Sequence, residues 1–184
     1  KSEMPASSTN TLNRFRQGDP DAFEAIFREH QAEVYRWILR IVRNAATAEE
    51  LTVETFWRTY RAHARFDPAR GFEPWARRIA THAALDWLRA NRQEDALNTE
   101  LVIELPATRA EDPIISAELR AKLTKALTRL PPRLLIAALL AVVEERPHKE
   151  VAEALGISVA AVKVRVFRAL RRLRKDLEEQ GVRP

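Results

Sequence analysis

The chain has 184 residues, 46% of them hydrophobic and 31% charged, and carries a net charge of +5. This length and apolar content suit one ordinary domain or two small ones with buried cores, and they exclude wholesale disorder. The lack of cysteine excludes disulfides and thiolate metal sites, no apolar run reaches membrane-spanning length, and the N-terminus has no signal-peptide apolar region, so a cytoplasmic protein is expected.

Only four glycines, many Ala, Leu and Arg, and little strand-like alternation predict an all-α protein. Residues 5–10 (PASSTN) read as a loose tail. Asp19 followed by Pro20 is an N-cap with a first-turn proline, and Phe23, Ile26, Phe27, Val34, Ile38 and Ile41 recur at helical spacing, predicting a helix to about Arg43. Asn44 to Ala46 break it. Thr47 to Glu50 (TAEE) has the form of a capping box for a second helix, which carries Leu51, Phe56 and Tyr60 inward and ends near Ala64. Residues 65–71 (RFDPARG) are a turn, and a third helix runs from about Glu73 to Arg92. The three helices are expected to form a small bundle.

Charge changes sign along this bundle. Glu49, Glu50 and Glu54 cluster at the start of the second helix, whereas residues 58–92 hold eight arginines against three acids. Acids in a first helical turn follow from the macrodipole alone. The basic segment has Phe66, Phe72, Trp75 and Trp87 interleaved, the composition that holds a nucleic-acid strand by its phosphates and its bases by stacking; an ordinary aromatic core explains the same residues.

Residues 94–118 hold seven acids, one base and two prolines without a sustained helical period, and read as an extended acidic linker. A helix with Leu119, Leu123, Leu127 and Leu130 follows, stopped by Pro131 and Pro132. Residues 133–143 (RLLIAALLAVV) are apolar nearly all round, as in a helix buried by its neighbours. Pro147 then opens a short helix with Val151, Ala152 and Leu155 on one face. Gly156 suits the left-handed turn that ends it, and Ser158 suits the N-cap of a last helix with Val159, Val162, Val166 and Leu170 on its inward stripe. This is a helix-turn-helix pattern. Residues 163–175 carry seven Lys or Arg and no acid, which fits a helix that enters a major groove and neutralises phosphates.

Residues 22–92 (AFEAIFREHQAEVYRWILRIVRN, TAEELTVETFWRTYR, FEPWARRIATHAALDWLR) and 130–176 (from LPPR through ALGIS to VKVRVFRAL) together resemble regions 2 and 4 of the bacterial sigma-70 family, in its small extracytoplasmic-function type. The resemblance implies a region 2 domain over 11–93, a linker over 94–115 and a region 4 domain over 116–181. It implies no catalysis and no cofactor or metal, but recruitment of RNA polymerase core to promoter DNA and opening of the duplex. By the same resemblance, Glu49, Glu50, Leu51 and Glu54 dock the polymerase clamp. Phe66, Phe72, Arg77, Arg78, His82, Asp86 and Arg89 hold the minus-10 element, with a base taken out of the stack. Ser158, Lys163, Val164, Arg165, Phe167 and Arg168 fall where the family reads the minus-35 element. Many relatives are silenced by an anti-sigma factor. Family members usually carry Gln where Val53 stands, often Asn where His82 stands, and a small or polar residue where Val164 stands.

Two other readings compete. A repressor or activator would bind operator DNA through residues 148–175 alone, leaving the arginine-rich third helix and the acidic linker idle. An enzyme would need a site, and His30 with Glu33 is the sole metal-like pair, of a kind far more often surface dressing.

Overall fold

The computed structural model describes residues 6–95 and 117–182, and among them there are helices and no strands. The acidic segment expected as a linker lies outside the described residues over 96–116; its first two positions, 94 and 95, are the last of a helix.

The first unit contains α1 (Ala6–Arg16), α2 (Pro20–Val42), α3 (Ala45–Arg61) and α4 (Phe72–Asp95). α1 stands where a loose tail was expected. Its sequence is mostly polar, but Leu12 and Phe15 are both buried, and Phe15 packs edge-on against Phe66, Phe72 and Trp75. Asp19 caps α2 as predicted, accepting from the backbone N–H groups of Asp21 (2.9 Å) and Ala22 (3.2 Å). The helix stops at Arg43, which takes the left-handed conformation (φ 55°) and donates its backbone N–H to Leu39. The cap of α3 is Asn44, whose side chain accepts from the Thr47 N–H at 2.9 Å. The expected Thr47 capping box is therefore displaced by three residues: Asn44 satisfies the orphan donor first, and Thr47 lies inside the helix. Two short 3₁₀ turns, His63–Arg65 and Pro68–Arg70, lead into α4.

Phe15, Ile26, Trp37, Ile38, Ile41, Phe66 and Leu88 are the large, fully enclosed side chains of this core. Phe66 and Phe72 are 2% and 3% exposed, so of their two readings these rings take the aromatic-core one here: a four-helix unit with little aliphatic bulk in α3 and α4 fills its centre with them.

The second unit contains α5 (Ala117–Thr128), α6 (Pro132–Ala138), α7 (His148–Leu155) and α8 (Val159–Glu179). Past Ala138 the chain widens into a π turn over Leu139–Val143, where the Glu144 N–H reaches back to the Leu139 carbonyl at 2.9 Å. Leu130, Ile136, Leu139 and Leu140 are its largest fully buried residues. The helix-turn-helix forms as read. Gly156 takes φ 64° at the end of α7, and the Ser158 hydroxyl accepts from the Ala161 N–H at 3.2 Å. The inward stripe of α8 is Val162, Val166, Ala169 and Leu173. Val159 and Leu170, expected on that stripe, are instead 39% and 46% exposed, because both lie off the line that faces α6 and α7.

The two units touch through α4, which packs on α7 and α6, and through α2, which packs on the π turn. Among the described residues no helix is long and apolar enough to cross a membrane.

Candidate functional site

Three exposed surfaces and one polar seam emerge from this packing. The first surface lies on α3. Glu49 and Glu50 are exposed, Glu54 is partly so, and Leu51 is half-buried against the core. Burying Ala48, Thr52, Thr55, Phe56 and Thr59 turns the opposite side of the helix outward, and with it Val53 (66% exposed) and Trp57 (55%). Glu50, Val53, Glu54 and Trp57 follow the i, i+3, i+4, i+7 line of one helical face. The reading from sequence took the acids and Leu51 but missed Trp57, whose signal is a large aromatic on the polar side of an amphipathic helix.

The second surface lies on α4. Arg78, His82, Asp86 and Arg89 are all exposed and recur at i, i+4, i+8 and i+11, so they share a stripe. The His82 Nδ1 lies 2.7 Å from the Arg78 carbonyl, and Asp86 pairs with Arg89 at 3.3 Å. Arg58 of α3 ties this stripe to the first surface, reaching Glu54 at 2.8 Å and Asp86 at 3.3 Å. The hydrogen bond to Glu54 and the one to Asp86, offset in part by burial, hold the Arg58 guanidinium above its ordinary pKa. Arg58 was not singled out from sequence, since its partners lie on two helices.

Arg77 does not join the stripe. Its side chain, 20% exposed, turns into the seam between the units, where it bonds Glu33 (2.6 Å), Glu150 (2.7 Å) and Glu73. Its guanidinium lies 5.0 Å from the centroid of the buried Trp37 ring, and Arg146 of the second unit lies 5.6 Å from the same ring. The Trp37 indole N–H donates to the Thr81 hydroxyl at 2.9 Å, and that hydroxyl donates to the Arg77 carbonyl at 2.7 Å. Burial and a hydrogen bond to Glu33 push the Glu73 carboxyl above the ordinary carboxylate range. Burial acts the same way on Glu33, but the Glu73 hydrogen bond and the Arg77 guanidinium outweigh it and leave Glu33 lowered. His30 lies 3.9 Å from Glu33, a carboxylate already committed to Arg77.

The third surface lies on α8. Lys163, Val164, Phe167 and Arg168 are exposed, with Val164 at 47% and Phe167 at 66%, and Arg171 continues the same face one turn on. Arg165 stands apart: it is half-buried, and burial together with the nearby Arg133 lowers its pKa. Ser158 is exposed at the head of the helix with its hydroxyl spent on the cap. Arg58, Arg77, Arg78, Arg89, Arg165, Arg168 and Arg171 come from helices whose apolar faces are buried, so their positions are fixed by core packing rather than by loops. A groove of about 1230 Å³ runs between the units, lined on one side by Arg65, Arg70, Trp75 and Arg78 and on the other by Lys149 and Ser158.

The chain is similar to known proteins in sequence and in fold. Residues 26–94 match the family model for sigma-70 region 2, and residues 120–173 match that for sigma-70 region 4. The chain is 38% identical over 168 residues to the RNA polymerase sigma factor CarQ of Myxococcus xanthus, covering 91% of this chain and 96% of that one. It is 29% identical to the ECF RNA polymerase sigma factor SigW of Bacillus subtilis, with coverage of 91% and 95%. Among solved structures, the sigma factor RpoE in complex with the anti-sigma factor NepR from Bartonella quintana has the same fold, with a TM-score of 0.57 at 21% identity over 85% of this chain and 96% of that one. With both regions matched in order, and close likeness to a sigma factor over nearly the full length of both chains, the chain belongs to the sigma-70 family of RNA polymerase sigma factors, in its extracytoplasmic-function branch.

Proposed function

We propose that this sigma factor divides its work among the three surfaces. The ridge of Glu49, Glu50, Val53, Glu54 and Trp57 docks RNA polymerase core, with Leu51 supporting it from the core side. The α4 stripe of Arg78, His82, Asp86 and Arg89 holds the minus-10 element, and the α8 stripe of Lys163, Val164, Phe167, Arg168 and Arg171 reads the minus-35 element in the major groove. Arg165 contributes charge from the margin of that face, and Ser158 sets the start of the recognition helix. Residues 11–93 and 116–181 serve as the two working domains.

The observation that carries this reading is the exposure of Val53 and Trp57 at 66% and 55% in a helix whose other large apolar residues, Leu51, Phe56 and Tyr60, are buried or half-buried. A partner surface explains such a ridge, whereas a repressor acting through α8 alone leaves it without purpose. The activity is recruitment and strand opening in the cytoplasm rather than catalysis. An anti-sigma partner belongs to the same proposal, supported by the NepR-bound neighbour of this fold.

The test is to mix the protein with RNA polymerase core from its own source. Co-elution, followed by transcripts that depend on a particular promoter, is the expected result. No co-elution, together with tight binding of the protein alone to a duplex site, would transfer the assignment to an operator-binding regulator.

A further inference from the structure

The seam between the two units is built from charges that could serve another ligand. On the first unit Arg40 and Arg43 approach one carboxylate, Glu144 of the second unit, at 3.1 Å and 2.7 Å. Among the described residues neither arginine has another ion-pair partner. Arg77 gives one of its nitrogens to Glu150 of the second unit, and Arg146 shares that carboxylate at 3.6 Å. The cations are crowded: burial, and then the positive charge of Arg146, lower the pKa of Arg40, with Arg36 and Arg77 adding to the repulsion. Such a group needs an anion between its members. The Nε atoms of Arg43 and Arg77 are buried with no acceptor among the described residues, so these guanidinium groups have donors to spare.

Guanidinium forks bind phosphate oxygens with the geometry they use for carboxylates. The seam also adjoins the α4 stripe, because Arg77 and Arg78 are consecutive, and Arg78 itself lies against the turn of the helix-turn-helix. A Cβ placed on Gly156 would come within 2.8 Å of its guanidinium. We propose that Arg40, Arg43 and Arg77 form a binding site for nucleic-acid backbone phosphates, which Glu144 and Glu150 of the second unit fill in the free protein, so that DNA and closure of the two units compete for the same guanidinium groups. This rests on the sigma-factor reading of α4. The free protein is then a closed form whose first unit binds DNA weakly, and a phosphate backbone opens it. The seam side chains are 11% to 31% exposed, within reach of a competing anion and of screening salt.

The 184 residues include no cysteine, so Gln31→Cys and Lys175→Cys place one dye on each unit at exposed positions. In this labelled background, Glu144→Gln with Glu150→Gln keeps shape and removes charge. The expected result is lower energy transfer at unchanged helicity, and binding of a random-sequence single-stranded oligonucleotide that tightens by about fivefold or more. Adding Arg40→Gln with Arg43→Gln to the opened variant should weaken that binding again and flatten its salt dependence. If the double variant loses helicity, Glu150→Gln alone is read in the same way. Unchanged energy transfer, or opening without tighter binding, overturns the proposal. Co-elution of the parent protein with core polymerase is scored separately: its failure removes the sigma-factor reading whatever the seam does, while success there with an unresponsive seam removes this inference alone.

Discussion

Trp37 shows how one residue joins the core to the seam. Its ring is buried under two arginines from different units, and its N–H has a single acceptor, the Thr81 hydroxyl. Thr81→Val keeps the shape but leaves the indole donor without a partner, which costs about 1–3 kcal/mol. The denaturant midpoint should fall accordingly, and an unchanged midpoint would mean that the indole finds another acceptor. Glu73, which pairs with the Arg77 that lies over this ring, yields a prediction with a definite sign. Its carboxyl is raised above the usual range by burial and by Glu33, so the protonated form suits the fold better than the charged one. Its contribution is therefore present at low pH and lost as pH rises through the folded pKa. Glu73→Gln, which mimics the protonated form, should raise stability at neutral pH, and this gain should vanish in acid below the carboxyl range. Paired denaturant melts at the two pH values decide it.

At the scale of the element, caps were legible to different degrees. Asp19, Gly156 and Ser158 sit where their chemistry places them, because each is followed at once by the helix it starts or the turn it permits. The start of α3 was harder, since Asn44 and Thr47 both offer an acceptor, and only the backbone shows that Asn44 takes the free N–H. Asn44→Ala should cost about 1 kcal/mol, whereas Thr47→Ala should change stability by less than about 0.5 kcal/mol; thermal melts of the two variants test this ordering. The inward face of α8 was blurred for a different reason. Val159, Val162, Val164, Val166, Phe167 and Leu170 put apolar residues on every side, so periodicity alone did not separate the packed Ala169 and Leu173 from the exposed Leu170. Likewise Phe66 and Phe72 carry no local mark that distinguishes a core ring from a stacking one. The seam left no sequence signature at all, because Arg43 and Glu144 are 101 residues apart and their pairing is decided by tertiary packing.

For the whole molecule, the proposal separates polymerase binding from promoter reading, and variants can divide the two. Trp57 is the large exposed apolar side chain in the docking ridge, the kind of aromatic anchor that carries most of an interface's energy. Trp57→Ala should weaken binding to core polymerase by about 2 kcal/mol, roughly thirtyfold, mainly through faster dissociation. Glu50→Lys with Glu54→Lys reverses charge on the same ridge. It should slow association and invert the salt dependence, because exposed charges steer encounter more than they hold a complex. Arg168→Ala lies on the other unit, on the face proposed to read the minus-35 element. It should leave core affinity unchanged while reducing transcription from promoters that need the upstream element, by about 1–3 kcal/mol if the arginine holds a guanine through both of its acceptors. Core affinity and promoter-specific transcription measured on all three variants form the test. If Arg168→Ala weakened core binding as much as Trp57→Ala, the two units could not be acting on separate partners, and the division of labour would fail even if each single loss were observed.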